Sequence, residues 1–187
     1  MNNKIIAIVG MCGAGKSVAS DILESLNYKK IYFGGVTMEK LKEANLEITP
    51  ANEKMMREKL RHDYGMGAYA TVLLPKIRDL SKENNVVLDG LYSWDELKIL
   101  KEELGDNLKV IAVIADKKIR YQRLSIREVR SLTKEEAIKR DLAEIENIAK
   151  AGPIAYADYY IDNNKDIEAY RKRLFEVLED IEKDDDK

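Results

Sequence analysis

The hydrophobic pattern of the chain alternates between two kinds of segment. Short, almost wholly apolar runs are separated by longer stretches in which apolar residues recur every three or four positions. The first kind predicts buried strands and the second predicts amphipathic helices. The predicted strands cover residues 4–9, 29–33, 86–88, 108–115 and 157–161. Because apolar strands that alternate with helices are typical of α/β proteins, we expect a parallel sheet with helices on both faces.

Capping residues mark where several of the intervening helices begin. Thr49 precedes Pro50, and this pair is typical of a helix N-cap followed by the first helical residue. Two further helices begin with the spacing of a capping box, at residues 93–96 and 133–136. A last helix is expected over residues 167–181.

The ends of the predicted strands carry the residues that suggest chemistry. Gly10, Gly34, Asp89, Asp116 and Asp162 all lie just after predicted strands. Right-handed crossovers in a parallel sheet bring the carboxyl ends of the strands to one edge, where ligands bind. We therefore expect the functional site at that edge.

Composition limits the classes of protein that fit this pattern. The chain has 187 residues and a net charge of −2, so its overall charge favours neither a nucleic-acid nor a membrane partner. One cysteine, Cys12, excludes an internal disulfide framework. No apolar run approaches the ~18 residues of a membrane span, and we expect no leader before Lys4. We expect a single-domain cytoplasmic protein, either a monomer or a homodimer.

The strongest motif is GMCGAGKS, residues 10–17, which matches G-x-x-x-x-G-K-[ST]. Glycines allow successive backbone N–H groups to point into one concavity, and the helix that follows adds its positive dipole end. Such a loop holds the phosphates of a nucleotide. Lys16 brings a positive charge to the β- and γ-phosphates, and Ser17 can ligate Mg²⁺.

Asp89 is the natural partner of this loop. It follows the apolar run at residues 86–88, so its carboxylate can hold Mg²⁺ or accept the proton of an acceptor group. An ordinary Asp-Gly turn is the alternative interpretation.

Four stretches resemble the P-loop small-molecule kinases, which include nucleoside monophosphate kinases and dephospho-CoA kinases. GMCGAGKS resembles their phosphate loop, VVLDG their Asp-Gly motif, and RYQRLSIREVR the start of their lid. ADYYIDNNKD is similar to a late strand and loop of dephospho-CoA kinases. The middle stretch, LRHDYGMGAYATVLLPKI, resembles a family of small archaeal nucleotide-kinase-like proteins.

This resemblance implies a P-loop NTPase three-layer sandwich with five parallel strands, a helical lid at residues 120–150 and a helical acceptor-binding region at residues 34–84. It also implies ATP and Mg²⁺ as cofactors, with Ser17 and Asp89 as metal ligands. The implied nucleotide-binding residues are Gly10, Cys12, Gly13, Ala14, Gly15, Lys16, Ser17, Arg120 and Asn163. An acidic tail, residues 179–187, completes the predicted domain of residues 1–187.

The lid region is strongly basic. Nine Lys or Arg and three Glu lie between Lys117 and Arg140. Their spacing predicts that Arg123, Arg127 and Arg130 share one helical face. Arg123, Arg127 and Arg140 are the catalytic candidates beside Lys16 and Asp89, since phosphoryl transfer needs charge neutralisation. Arg120 or Arg123 could also stack on adenine.

The acceptor side departs from the resemblance at two positions. Gly35 stands where related kinases often have an acid, and Tyr92 lies where an arginine often follows the Asp-Gly pair. Arg57 and Arg61, four residues apart on a predicted helix, could supply the missing cations.

The sequence as a whole predicts an ATP- and Mg²⁺-dependent kinase of a small nucleotide-like acceptor, either a nucleoside monophosphate or dephospho-CoA. A nucleotide-binding regulatory protein with little turnover and a P-loop hydrolase are the alternatives.

Overall fold

Five parallel strands form one sheet within residues 3–185, the part of the chain that the computed structural model describes. The order across the sheet is β2-β3-β1-β4-β5, so the first strand lies at the centre. The strands are β1 (Ile5–Val9), β2 (Lys29–Tyr32), β3 (Val86–Asp89), β4 (Leu108–Ile114) and β5 (Tyr159–Asp162). This arrangement confirms the predicted α/β fold class.

Helices connect every pair of consecutive strands. They are α1 (Lys16–Ser25), α2 (Gly35–Glu43), α3 (Pro50–Tyr64), α4 (Ala68–Ser81), α5 (Trp94–Leu104), α6 (Lys117–Ser125), α7 (Lys134–Ile148), α8 (Ala151–Ala155) and α9 (Ile167–Asp185), with a short 3₁₀ turn at Gly105–Asn107. None of the helices within residues 3–185 combines the length and the apolar character that a bilayer span requires.

The alternating side chains of the central strand build two separate cores. Ile5, Ala7 and Val9 face the core formed with α2 to α5, whereas Ile6 and Ile8 face the core formed with α1 and α9. Both sets are buried because successive residues of a strand point to opposite faces of the sheet. The sheet is therefore covered on both faces, and only its two ends can present a ligand site.

The predicted capping signals are present. The Thr49 side chain accepts from the amide of Asn52 at the start of α3. Complete capping boxes begin α5, at Ser93 and Glu96, and α7. These contacts satisfy N–H groups that the first turn of a helix leaves without partners.

Three helices differ from the sequence prediction. The sequence pattern does not predict separate bounds for α2 or the existence of α8. Helix α8 contains Gly152 and Pro153, which disfavour helices in isolation. Packing overrides this preference, since a Cβ at Gly152 would lie 2.9 Å from the Trp94 ring. Helix α9 runs to Asp185 rather than residue 181, so the predicted acidic tail is helical to that point. Residues 186 and 187 of that tail lie outside the described residues.

The first prediction concerns the core on the α2–α5 side of the sheet. Leu88 of β3 is fully buried there. Leu88→Ala should lower the free energy of unfolding by about 3 kcal/mol, because it removes buried methylenes and leaves a cavity. Leu142→Ala on α7 is the matched control, since Leu142 is 50% exposed. Urea unfolding of both variants measures the difference, and equal losses would contradict the described core.

Candidate active site

Residues 10–17 connect β1 to α1 and form an open loop at the carboxyl edge of the sheet. Gly10, Gly13 and Gly15 have φ of 147°, 81° and 105°, in a region that favours glycine. No side chain caps the first turn of α1. The amides at this helix start thus keep free donors, and the loop has the form of an anion-binding concavity.

Neighbouring elements leave no room for side chains at these glycines. A Cβ at Gly10 would lie 2.3 Å from the carbonyl oxygen of Val113, and one at Gly15 would lie 2.2 Å from Nδ2 of Asn163. The loop is therefore packed against β4 and against the segment after β5, which fixes its shape before any ligand binds.

Side chains from distant parts of the chain hold the back of the loop. Asn163 Nδ2 donates to the carbonyl of Ala14 at 2.7 Å, and Tyr170 OH donates to the carbonyl of Gly15 at 3.1 Å. Arg123 Nη2 donates to the carbonyl of Asn163 at 2.9 Å. The segment after β5 is thus tied both to the loop and to α6.

Lys16 lies over the loop that precedes it. Its Nζ donates to the carbonyl of Met11 at 3.0 Å. Burial and the nearby charge of Lys150 lower the pKa of Lys16 to about 8. A phosphate group at this place would stabilise the charged form of the lysine.

Ser17 and Asp89 lie at the mouth of the same loop. Ser17 is exposed in the first turn of α1, and Asp89 ends β3, the strand beside β1. The buried hydroxyl of Ser20 lies 3.1 Å from Oδ2 of Asp89 and orients the carboxylate. One hydroxyl and one carboxylate are the hard oxygen ligands that Mg²⁺ prefers. Within residues 3–185 no group of three or more His, Cys, Asp or Glu could hold a metal alone, so phosphate oxygens and water would complete this site.

Arg120 differs from its predicted position over adenine. Its guanidinium is buried, donates to the carbonyl of Cys12 at 2.9 Å, and forms two hydrogen bonds to Asp141 at 2.9 and 2.6 Å. Burial alone would raise the pKa of Asp141, but the hydrogen bonds and charge of Arg120 lower it. Arg120 therefore ties α6 and α7 to the loop.

Arg123 is held differently, by Asn163 in the segment after β5. Its Nη1 is buried and has no hydrogen-bond partner in the described part of the chain. Buried donors without a partner are rare in native proteins, so this atom is an exception within the described residues.

The predicted helical face of three arginines is wrong. Helix α6 ends at Ser125, so Arg127 and Arg130 lie in the connection to α7. The amide of Leu132 donates to the carbonyl of Leu124, and Arg130 has a left-handed φ of 58°, which turns the chain back. Arg127 is exposed in this connection.

A cleft of about 420 Å³ lies where Gly34 and Tyr92 follow β2 and β3. It is lined by Tyr32, Gly34, Thr37, Met38, Glu53, Arg57, Arg61, Tyr69, Tyr92, Glu96, Arg130, Arg140, Glu144 and Ile148. The structure thus brings Arg57, Arg61, Tyr92 and Arg140 together, with Gly35 next to the lining residue Gly34. Arg127 is not among the lining residues.

Most of the arginines in this cleft have carboxylate partners. Glu53 lies 3.4 Å from Arg57 and 3.8 Å from Arg130, which joins the lid connection to α3. Glu144 lies 3.2 Å from Arg140. Within residues 3–185, Arg61 forms no hydrogen bond or ion pair, although its charge acts on Tyr69 and Glu96. Arg61 is therefore the cation most available to an anionic ligand.

Sequence reasoning missed Lys150 and the role of Glu144. Lys150 is buried and its Nζ lies 2.7 Å from Oε2 of Glu144. The i,i+4 spacing of Arg140 and Glu144 could have revealed that ion pair. Lys150 carries no such signal, because Ala149 leaves the helix with a φ of 49°.

Comparison with known proteins places this architecture in a family. The model described as "AAA domain" matches residues 6–145. A UPF0200 protein of Sulfurisphaera tokodaii is 37% identical over 183 residues, which cover 95% of this chain and 97% of that protein. The chain therefore belongs to the family described as AAA domain and is a relative of the archaeal UPF0200 proteins.

Solved structures support the same fold. Shikimate kinase from Bacteroides thetaiotaomicron has a TM-score of 0.60 at 15% identity, with 96% of this chain and 98% of that chain covered. Dephospho-CoA kinase from Campylobacter jejuni has a TM-score of 0.57 at 17% identity, with 96% and 97% covered. Both structures share the fold that the sequence resemblance implied.

The second prediction concerns the pH dependence of stability. Burial raises the pKa of Glu96 from its usual 4.5 to about 7, although the amides of Tyr92 and Ser93 donate to it. The folded chain holds this proton more tightly than the unfolded chain, so this group makes stability fall as the pH rises from 4.5 to 7. Glu96→Gln keeps an accepting oxygen but cannot ionise.

The stability of Glu96→Gln relative to wild type should therefore increase by about 2 kcal/mol between pH 5 and pH 8. Urea unfolding of both proteins at the two pH values measures this change, in which the titrations of other groups cancel. A difference that does not vary with pH would show that Glu96 titrates normally.

Proposed function

Starting from membership of the UPF0200 family, we propose that this protein is a Mg²⁺-dependent phosphotransferase that moves the γ-phosphoryl group of ATP to a small anionic acceptor. The observation that carries the proposal is that a second, arginine-lined cleft accompanies the phosphate loop. Gly34 and Tyr92, which follow β2 and β3, line the arginine-rich cleft, and the charge of the lining residue Glu144 acts on Lys16 of the phosphate loop. A loop alone suits nucleotide binding, whereas the adjoining cleft suits a second substrate.

Each element has a role in this proposal. The amides of residues 10–17 bind the phosphates, and Lys16 neutralises their charge. Ser17 and Asp89 hold Mg²⁺, which, when bound, offsets charge on the β- and γ-phosphates. Arg140, which lines the cleft, neutralises the transferring group. Residues 120–150 act as the lid, and residues 34–84 bind the acceptor.

The reaction is an in-line displacement. An acceptor oxygen forms a bond to the γ-phosphorus while the bond to the β–γ bridging oxygen breaks and ADP leaves. The lid connection already contacts α3 through Arg130 and Glu53. Closure along this contact would exclude water and limit hydrolysis of ATP.

The cleft gives some guidance on the acceptor. Its volume of about 420 Å³ is near the small end of ligand sites, so it favours a nucleoside monophosphate over dephospho-CoA. Because the fold is similar to that of a dephospho-CoA kinase, dephospho-CoA is also tested as an acceptor. Gly35 supplies no acid, but Glu53, Glu96 and Glu144 line the cleft from other helices.

The third prediction tests the reaction class. ADP release is measured with ATP and Mg²⁺ across nucleoside monophosphates, dephospho-CoA, shikimate and gluconate. Release that depends on one acceptor is expected, and Lys16→Ala should slow it by about 100-fold, the scale for removing one charge-stabilising group. Lys172→Ala, an exposed lysine of α9, is the control.

Other outcomes would favour one of the two alternative functions. ADP release that is independent of every acceptor would favour a hydrolase, and tight ATP binding without release would favour a regulatory protein. A near-normal rate for Lys16→Ala would contradict the role of the loop.

The fourth prediction tests the cleft. Arg61→Ala should raise the KM for the acceptor about tenfold and leave the KM for ATP unchanged, because a charged hydrogen bond to the acceptor is lost. The change leaves no carboxylate without a partner, and exposed Arg171→Ala is the control. An equal rise in both KM values would place Arg61 outside the acceptor site.

A further inference from the structure

Lys150 presents a buried charge that the proposed mechanism has not used. It lies between α7 and α8 and is 2% exposed. Its Nζ is 2.7 Å from Oε2 of Glu144 and 4.8 Å from the centroid of the Tyr92 ring. A buried ammonium is costly unless it is well paired, so this position calls for an explanation.

Glu144 alone does not balance the charges around it. It accepts from Arg140 at 3.2 Å as well as from Lys150. Burial would raise the pKa of Glu144, but the two cations lower it, so it is ionised at neutral pH. One carboxylate is therefore shared by two cations. The positive charge of Lys150 also repels that of Lys16. An anion between Lys150 and Lys16 would relieve this repulsion.

Lys150 contacts the acceptor cleft and acts on the phosphate loop. Its ammonium lies beside Glu144 and Tyr92, which line the cleft, and its charge contributes to the lowered pKa of Lys16. The segment after β3, residues 90–92, contains no cation of its own. The face of the Tyr92 ring attracts cations and holds the Lys150 ammonium above that segment.

We propose that Lys150 binds the γ-phosphoryl group of the nucleotide from the acceptor side, opposite Lys16, with Glu144 holding the ammonium until the nucleotide arrives. The proposal rests on the proposed function, since it requires a nucleoside triphosphate in the loop. The Lys150 ammonium neutralises the phosphoryl oxygens while the acceptor oxygen replaces the bridging oxygen.

The test compares two nucleotides that differ in the γ-phosphate. AMP-PNP and ADP, each with Mg²⁺, are titrated calorimetrically into wild type, Lys150→Met and the double variant Lys150→Met with Glu144→Gln. Loss of the ammonium should weaken AMP-PNP about tenfold or more and leave ADP within about twofold. The double variant removes both charges of a buried pair, so it serves if Lys150→Met alone does not fold.

Glu144→Gln separates ligand binding from a structural ion pair. It leaves Lys150 charged without its competing carboxylate, so AMP-PNP should bind at least as tightly as to wild type. If the pair were only structural, Lys150→Met and Glu144→Gln would change the affinities in the same direction and by similar factors for both nucleotides. That result would overturn the proposal.

Two further outcomes are distinct. Equal AMP-PNP affinity of wild type and the double variant would overturn the role of Lys150 while leaving the proposed function intact. No binding of either nucleotide by wild type would overturn the proposed function, and the role of Lys150 with it.

Discussion

The structure of the site depends on hydrogen bonds from side chains to four backbone carbonyl groups of the phosphate loop. The carbonyl of Met11 accepts from Lys16, and the carbonyls of residues 12, 14 and 15 accept from Arg120, Asn163 and Tyr170. Since a peptide unit points its N–H away from its carbonyl, carbonyls held at the back of the loop favour amides directed into the concavity. The loop is thereby organised for an anion before the anion binds.

The same hydrogen bonds connect the loop to the elements that surround it. Arg120 links the loop to α7 through Asp141, and Arg123 links α6 to Asn163. Glu144, one turn after Asp141, then holds the cations Arg140 and Lys150 at the edge of the cleft. A movement of α7 would therefore act on the phosphate loop and the acceptor cleft together, which is the coupling that a two-substrate reaction needs.

The sequence predicted those parts that local chemistry determines. The phosphate loop, the strands around it and both capping boxes depend on a few neighbouring residues, and the structure contains all of them. Arg57 and Arg61 could be predicted on one face from their spacing alone. Long-range contacts could not be read in this way. At the end of helix α6, the carbonyl of Leu124 accepts a hydrogen bond from the amide of the distant Leu132. Arg120 binds Asp141, which packing of α7 brings beside it. Lys150 meets Tyr92 across 58 positions of sequence, which no local pattern reveals.

The most direct measurement is an NMR titration of the amide groups with AMP-PNP in magnesium buffer. The central claim is that the backbone donors of the phosphate loop bind a nucleoside triphosphate. The amide protons of Gly13, Gly15, Lys16 and Ser17 should move to lower field as they donate to phosphate oxygens, ahead of any change in the acceptor cleft. Unchanged resonances for these four amides at saturating nucleotide would contradict the account.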